Sequence, residues 1–548
     1  MFRLLLPLAP SGALAAQHAG PAAGAAAGST TDPVSQAIVG IVLAGLFLFL
    51  ALEKAHRVLV ALAGVAVLWT FTYLTPYRVI TLETAQASLD LNVLLLLAAM
   101  MAVVGVLKST GVFGWAVARL LERAGGRPRM IMRLVAWFTG AVSSVADNVT
   151  TVIFVTPMVV RMAGPLGVRP VVFLLPMVMA ANIGGTATLI GDPPNIMIGS
   201  GAGLSFLDFV IALAIPCAIM MIVMEWYAER VFGGELTGAT RLPAPPEAGL
   251  PAADALEARA AIGAPVGALT EEMRAPGTAI VDPLLLRWAL GISAAIFVGF
   301  VTHSITGMPA SVPAVLGAAA LLVVQDVLYL RRHRPTARER KHGLLAVIEH
   351  EIEWPTLIFF AFLFIIVGAA VATGLIDRAA TGLAWAVHEG GALLGLSPAG
   401  TLCFAALLIC WVAGTLSALV DNIPFVAVTI PIIAALRGDL AGDTSVLWWA
   451  LALGACLGGN ATVIGASANV TATGLAERAG SHVTFREFST FGVPVTAMTL
   501  VIASIYLALH VYVGAAGALA WSAAALALLL VVRFARRRRR EVRRLGTA

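Results

Sequence analysis

An all-α polytopic membrane fold made of two inverted repeats, each with a re-entrant helical hairpin and a discontinuous transmembrane helix, is predicted by three features of this sequence. They are its apolar composition, a gapless internal repeat rich in helix breakers, and the sorting of its cations. Of 548 residues, 59% are hydrophobic and 12% charged, where soluble globular chains carry about a quarter charged. Mean hydropathy is +0.93, and runs of the ~20 apolar residues needed to cross a hydrocarbon core of about 30 Å recur along almost the whole chain. A transmembrane β-barrel would instead show short segments of alternating polarity and a charged lumen face.

The chain opens with a signal-like, disordered leader over 1–35, in which a short apolar run, Leu4 to Leu8, precedes Ala/Gly-rich chain. Apolar segments follow at roughly 37–53, 57–74, 92–107, 130–164, 171–198, 207–232, 284–303, 309–330, 355–376, 399–437, 445–477, 488–510 and 514–533. Two of them, 130–164 and 399–437, are broken by Asp147-Asn148 and Asp421-Asn422 and read as hairpins that enter and leave on one side. The first half is then 36–233, with repeat 1 at about 92–232, and a cytoplasmic linker spans 234–283. Connecting helices occupy 284–342, repeat 2 occupies 343–510, and a last helix with a basic cytoplasmic tail fills 511–548. Putting the Arg331–Lys341 loop in the cytoplasm leaves only Arg3, Arg78, Arg378 and Arg437 outside, so 31 of 35 Lys/Arg lie inside, as the cationic-loop rule requires. Lys54 and Arg57 fall in a cytoplasmic loop in this scheme. The mature N-terminus is expected outside and the C-terminus inside a cell's inner (plasma) membrane.

The net charge of +5 is therefore a topology signal, and no nucleic-acid partner is expected. The Arg536–Arg540 run is read as an anchor on anionic membrane lipid. Cys217, Cys403, Cys410 and Cys456 lie in apolar stretches without a CxxC pair, and the nine histidines are scattered, so no zinc site and no cofactor beyond a coupling ion is expected.

Sliding the chain by 274 residues aligns Ser143–Asn195 with Ser417–Asn469 without a gap, giving 16 identities in 53 positions. The identities include Asp147/Asp421, Asn148/Asn422, Pro157/Pro431, Gly184/Gly458, Gly185/Gly459, Thr188/Thr462, Gly191/Gly465 and Asn195/Asn469. Upstream, an offset of 263 pairs Val104-Gly105 with Val367-Gly368. Five crossings separate the two copies in the scheme above, and an odd number makes them face opposite ways. Inverted repeats with interrupted apolar segments at matching positions point to a secondary transporter with its site near the bilayer midplane.

The stretch Asn182 to Asn195, with Gly-Gly and Gly-Asp-Pro-Pro inside it, cannot be a regular helix, and Gly458 to Asn469 breaks in the same way. Such breaks offer half-helix N-termini to an anion and loose carbonyls to a cation. Candidate ligands in the first copy are Asp147, Asn148, Thr150, Thr151, Gly184, Gly185, Thr186, Thr188, Asp192 and Asn195. Those in the second are Asp421, Asn422, Gly458, Gly459, Asn460, Thr462, Ser467 and Asn469. Sodium prefers oxygen ligands, which suits Asn148, Thr151 and Asn422, with Thr150 near them. Helix capping is the bland account of these polar groups, and repetition at two sites argues that it is not the whole one. An ionised Asp completing a cation site and a protonatable Asp carrying a coupling proton both remain open. Asp192 has no acidic counterpart, because position 466 is Ala. Glu225 is read as structural.

At these residues the chain resembles the ion-transporter superfamily of arsenite permeases, sodium/proton antiporters and sodium-coupled di- and tricarboxylate carriers, with a citrate-transporter-like domain. Within it, it is most similar to bacterial permeases related to the P protein of oculocutaneous albinism. The resemblance is carried by Ala146–Thr151, Asn182–Asn195, Val420–Pro424, Leu457–Asn469 and His350–Leu357, and covers about 37–510. It implies a homodimer with a scaffold domain and a transport domain that moves like an elevator, with Asn148 and Asn422 at ion- or substrate-binding tips. The tips here read Asp-Asn-Val-Thr and Asp-Asn-Ile-Pro, not the Ser-Asn-Thr of the carboxylate carriers.

The first reading is a secondary active transporter of a small inorganic or carboxylate anion, coupled to sodium or protons. The second is a sodium/proton antiporter in which Asp147 and Asp421 exchange the two cations. A passive channel would need a continuous pore, which unequal half-sites disfavour. An intramembrane enzyme would need a nucleophile with its base, an HExxH helix or a DDxxD-like run, and the sequence has none of these.

Overall fold

The computed structural model describes residues 32–52, 55–238, 280–332 and 347–545. The leader up to residue 31, the linker over 239–279 and most of the 331–341 loop lie outside the described residues. Every described element is helical, and no strand occurs among the described residues. In chain order the helices are α1 (Pro33–Leu52), α2 (Arg57–Leu74), α3 (Leu82–Ser88), α4 (Leu91–Ser109), α5 (Val112–Ala124), α6 (Pro128–Ser143), α7 (Asn148–Ala163), α8 (Val171–Thr186), α9 (Pro193–Ala202), α10 (Phe206–Val231) and α11 (Gly233–Gly238). After the linker come α12 (Pro283–Thr306), α13 (Ser311–Arg332), α14 (Trp354–Ala372), α15 (Leu375–Leu393), α16 (Pro398–Ser417), α17 (Asn422–Leu436), α18 (Val446–Gly458), α19 (Ser467–Arg478) and α20 (Phe485–Leu545). Ten helices among the described residues are long and apolar enough to cross a membrane.

Helix breaks fall where the sequence carries breakers. The chain leaves α6 at Ser143 and restarts at Asn148, and leaves α16 at Ser417 and restarts at Asn422. At 16 residues each, α6 and α7 are about 24 Å long, short of the ~30 Å core, as a re-entrant hairpin requires. The second hairpin differs in its first arm: α16 has 20 residues and reaches spanning length. Two spanning arms also return the chain to its starting side, so the parity of the crossings is unaffected. Gly514 adopts φ 76° and ψ 168°, which only glycine takes up readily. The chain doubles back there, since Phe491, before it, packs on Phe232 (5.3 Å between ring centroids) and Arg533, after it, pairs with Glu225 on the same end of α10.

Each repeat is built around a tight crossing of glycines. A Cβ at Gly184 would sit 2.1 Å from the Gly140 carbonyl oxygen, binding α8 to α6, and one at Gly458 would sit 2.3 Å from the Gly414 oxygen, binding α18 to α16. Small residues let apolar helices approach closely enough for dispersion to hold them without a hydrophobic driving force. Between the copies the packing is reciprocal: α7 lies on α19 and α17 on α9, while the lead helices cross over, α2 against α14 and α13 against α4.

Cations assigned to one face by charge sorting pair with carboxylates at neighbouring helix ends. Lys108 bonds Glu351 at 2.9 Å, and Arg169 reaches Glu235 and Glu487 at 2.7 Å each. Glu225, 3% exposed, accepts from Trp137 Nε1 at 2.9 Å and from Arg533 Nη1 at 2.8 Å, and Arg133 pairs with it at 2.7 Å and also with Glu229. The structural reading of Glu225 rests on those partners.

Gly184→Ala and Gly458→Ala are each expected to destabilise the protein by roughly 1–3 kcal/mol, the usual cost of overpacking. Gly45→Ala on α1, where a Cβ meets nothing within 4 Å, is the neutral control. Thermal unfolding in detergent checks all three.

Candidate functional site

Both hairpin tips and both helix breaks converge on one cavity. It is lined by Asp147, Asn148 and Val149 from the first tip, Asp421, Asn422 and Ile423 from the second, Asp192 and Pro193 from one break, and Ala466 and Ser467 from the other. Its volume, counted for the centres of water-sized spheres, is about 30 Å³, room for roughly two waters. Met101 lines it too, seven residues or about 10 Å along α4 from the Lys108–Glu351 pair.

Two helix starts come from the hairpin tips and two from the breaks, and Asp147 alone of their four N-cap residues caps with its side chain. Asp147 caps α7, accepting from Thr150 N and Thr150 Oγ1 at 3.0 Å each. Asp421 opens α17 with the same backbone angles (φ −47°, ψ 135°, against −52° and 138° for Asp147) but caps no amide with its side chain. Instead its Oδ2 accepts from Ser467 Oγ at 3.0 Å, and its buried Oδ1 has no partner. Asp192 and Ala466 open α9 and α19 in extended backbone.

The breaks are held open by paired side chains. Asn195 Nδ2 donates to the carbonyls of Gly185, Thr186 and Thr188 at 3.3, 3.1 and 2.9 Å, and Asn469 Nδ2 donates to those of Gly459 and Thr462 at 2.7 and 2.8 Å. Thr188 and Thr462 hydroxyls donate to Ser144 and Ala418 carbonyls, and Ser143 and Ser417 hydroxyls to those of Ala181 and Ala455. A polar backbone buried in apolar surroundings costs several kcal/mol per unpaired group, and these amides and hydroxyls remove that cost.

Of the residues singled out from sequence, Asp147, Asn148, Asp192, Asp421, Asn422 and Ser467 line the cavity. Thr150 and Thr151 bond back to Asp147, while Gly184, Gly185, Thr186, Thr188, Asn195, Gly458, Gly459, Thr462 and Asn469 do not line the cavity and instead make the packing and hydrogen bonds of the breaks and their hairpins. Asn460 Oδ1 accepts from Asn182 Nδ2 at 2.9 Å, and its own buried amide nitrogen has no partner.

Asn182 is the junction between the copies. Its Oδ1 accepts from Asn148 at 3.2 Å, and its amide also donates to Asn469 at 3.0 Å. Cys456, the counterpart of Asn182, donates to Asn195, the counterpart of Asn469, at 3.5 Å. This exchange, in which i meets j′ and i′ meets j, is the contact pattern of a local two-fold.

Sequence reasoning passed over Arg57, Glu353 and Thr356, which also line the cavity. Arg57, read as a loop cation, is the first residue of α2. It donates to Thr356 Oγ1 at 2.7 Å and Ser467 Oγ at 3.3 Å and lies 3.8 Å from Asp421 Oδ2. Thr356 in turn donates to Glu353 at 2.9 Å.

Residues 47–454 match the profile of the Citrate transporter (CitMHS) family. The chain is 36% identical over 472 residues to the uncharacterized transporter Rv2684 of Mycobacterium tuberculosis, covering 85% of this chain and 96% of that protein. It is 34% identical over 463 residues to a 46 kDa membrane protein of Mycobacterium leprae, covering 84% and 95%. The P protein of Homo sapiens is 28% identical over 537 residues, which cover 87% of this chain and 60% of the P protein. Among solved structures, the YdaH transporter of Alcanivorax borkumensis matches with a TM-score of 0.46 at 16% identity, covering 82% of this chain and 90% of that one.

Asn195→Ala and Asn469→Ala strand two or three carbonyls each, and each substitution is expected to destabilise by at least about 1–3 kcal/mol. Asn195→Asp, which keeps the volume but loses the donor, should behave like the alanine variant in the same unfolding assay.

Proposed function

The chain belongs to the citrate transporter family and is a multi-pass membrane transporter, and from that premise we propose that it is a secondary active transporter of a small anion whose binding requires a coupling sodium ion or proton. The observation that carries this is the convergence of six helix N-termini and four carboxylates on one cavity. Each N-terminus is worth about half a positive charge, and α2 and α14, which open on the same cavity at Arg57 and Glu353, join α7, α9, α17 and α19 to supply about +3 in all. Arg57 adds one positive charge, and Asp147, Asp192, Asp421 and Glu353 together carry four negative charges when ionised. The site as a whole then stands close to zero, with about +3 from the helix starts and +1 from Arg57 against −4 from the carboxylates.

A cation or proton that neutralises a carboxylate tips that balance to positive, and the helix starts and Arg57 then favour an anion. Each solute thereby favours binding of the other, the condition for their coupled movement. The reciprocal packing of the copies supports an inverted repeat with its axis at the Asn182 junction. Transport by an elevator-like step, as a homodimer in the inner membrane with the C-terminus inside, belongs to the same proposal and is supported by the family resemblance. A sodium/proton antiporter is the second reading, favoured by the excess of carboxylates over cations around the cavity.

Purified protein in liposomes carrying a pH-sensitive dye, offered citrate, arsenite and chloride in turn with and without a sodium gradient, tests both. Anion uptake that falls to background when sodium and proton gradients are both removed is the expected result; proton efflux driven by sodium without any anion replaces the proposal with the antiporter. Asp147→Asn and Asn422→Ala are each expected to lower flux to that of empty liposomes while inserting normally. Unaltered flux in either removes that residue from the site.

A further inference from the structure

We propose that Arg57 is a built-in counter-cation for Asp421 that competes with the coupling cation or proton for that carboxylate, and so sets the ion affinity of the site. The proposal rests on the reading of the cavity as an ion-coupled site. Arg57 opens α2, where a cation works against the helix dipole, so its place needs a reason outside α2. That reason is across the cavity: the guanidinium bridges Thr356 on α14 and Ser467 on α19 and lies 3.8 Å from Asp421. Its guanidinium carbon also lies 5.8 Å from the Phe359 ring centroid.

The pairing is incomplete. Asp421 Oδ1 is buried without a partner, and both side chains keep partial exposure, 29% and 21%. A loose, half-wet pair of this kind exchanges partners more readily than a dry bidentate one. A sodium ion or proton arriving at Oδ1 takes over the negative charge that Arg57 was balancing. The charged groups facing Asp421 are Arg57, Asp147, Asp192 and Glu353, so Arg57 supplies the positive side chain of the set.

Reciprocity of the fold makes this device one-sided. The lead helix of the other half, α13, packs on α4 as α2 packs on α14. It opens with Ser311, whose backbone amide donates to Asn92 at 3.0 Å, and it brings no cation to that position. Movement of the site from the α2 side to the α13 side would separate Asp421 from Arg57 and leave the carboxylate to its ion. Arg57 therefore favours release of the ion on the α2 side alone.

The test is ion titration of wild type, Arg57→Gln, Arg57→Lys and Asp421→Asn, read both as stabilisation against heat unfolding and as flux in liposomes. One arm titrates sodium at fixed pH and the other titrates protons without sodium. Arg57→Gln is expected to lower the half-saturating concentration of the active ion at least about tenfold, the size of effect an opposite charge within 4–6 Å exerts. Arg57→Lys should recover most of that shift, and Arg57→Gln should have no effect on ion dependence when Asp421→Asn is already present. An unshifted half-saturation in Arg57→Gln, in a wild type that does respond to sodium or pH, overturns the role of Arg57 and leaves the ion-coupled site standing. A wild type whose stability and flux respond to neither ion overturns the site itself, and the role of Arg57 with it.

Discussion

An unwound backbone buried among apolar helices must have its amides and carbonyls paired, and this constraint shapes the whole molecule. Two asparagines, Asn195 and Asn469, supply donors to five carbonyls of the two breaks, while Thr188, Thr462, Ser143 and Ser417 tie the breaks to the hairpins. The glycine crossings at Gly140/Gly184 and Gly414/Gly458 exist because a side chain there would push the hairpin away from the break it must satisfy. With the hairpin fixed against the break, the tips have one place to go, and the helix starts meet.

Convergence of helix starts creates the electrostatics. Positive helix ends alone would make a simple anion trap, and carboxylates alone would make a cation trap. The two together, with Asp147, Asp192 and Asp421 each sitting at the head of a helix, leave the charge close to balance. A site near balance responds to single charges, which is what coupling between a solute and an ion demands. Capping and cavity lining are here one arrangement: Asp147 spends Oδ2 on Thr150 and still borders the cavity.

Much of this was legible in the sequence. Apolar length and charge sorting give the helical membrane class, and the 274-residue offset gives the paired tips and breaks, because breakers and buried asparagines tolerate few substitutes and survive where aliphatic residues drift. Arg57 was not legible, because it lies outside the ungapped repeat and reaches the site through α2, whose packing no local pattern encodes, while Glu353 and Thr356 fall in the His350–Leu357 stretch that carries the resemblance but belong to no repeated pattern that would give them a place at the site. Arg57 in particular is indistinguishable in sequence from the interfacial cations that mark topology. The hairpin arms were legible in existence and not in length, since α16 has 20 mostly apolar residues and nothing in its composition says whether it spans.

The central claim is that the space bounded by Asp147, Asp192, Asp421 and their helix starts, widened from the room for roughly two waters that it has here, holds the solute and its ion together. A structure of the protein in lipid nanodiscs, determined with citrate and sodium and again with neither, tests it most directly. Added density between the Asn148 and Asn422 tips, present only with the solutes, is the predicted result. Solute density elsewhere in the molecule, with this cavity unchanged between the two states, would contradict it.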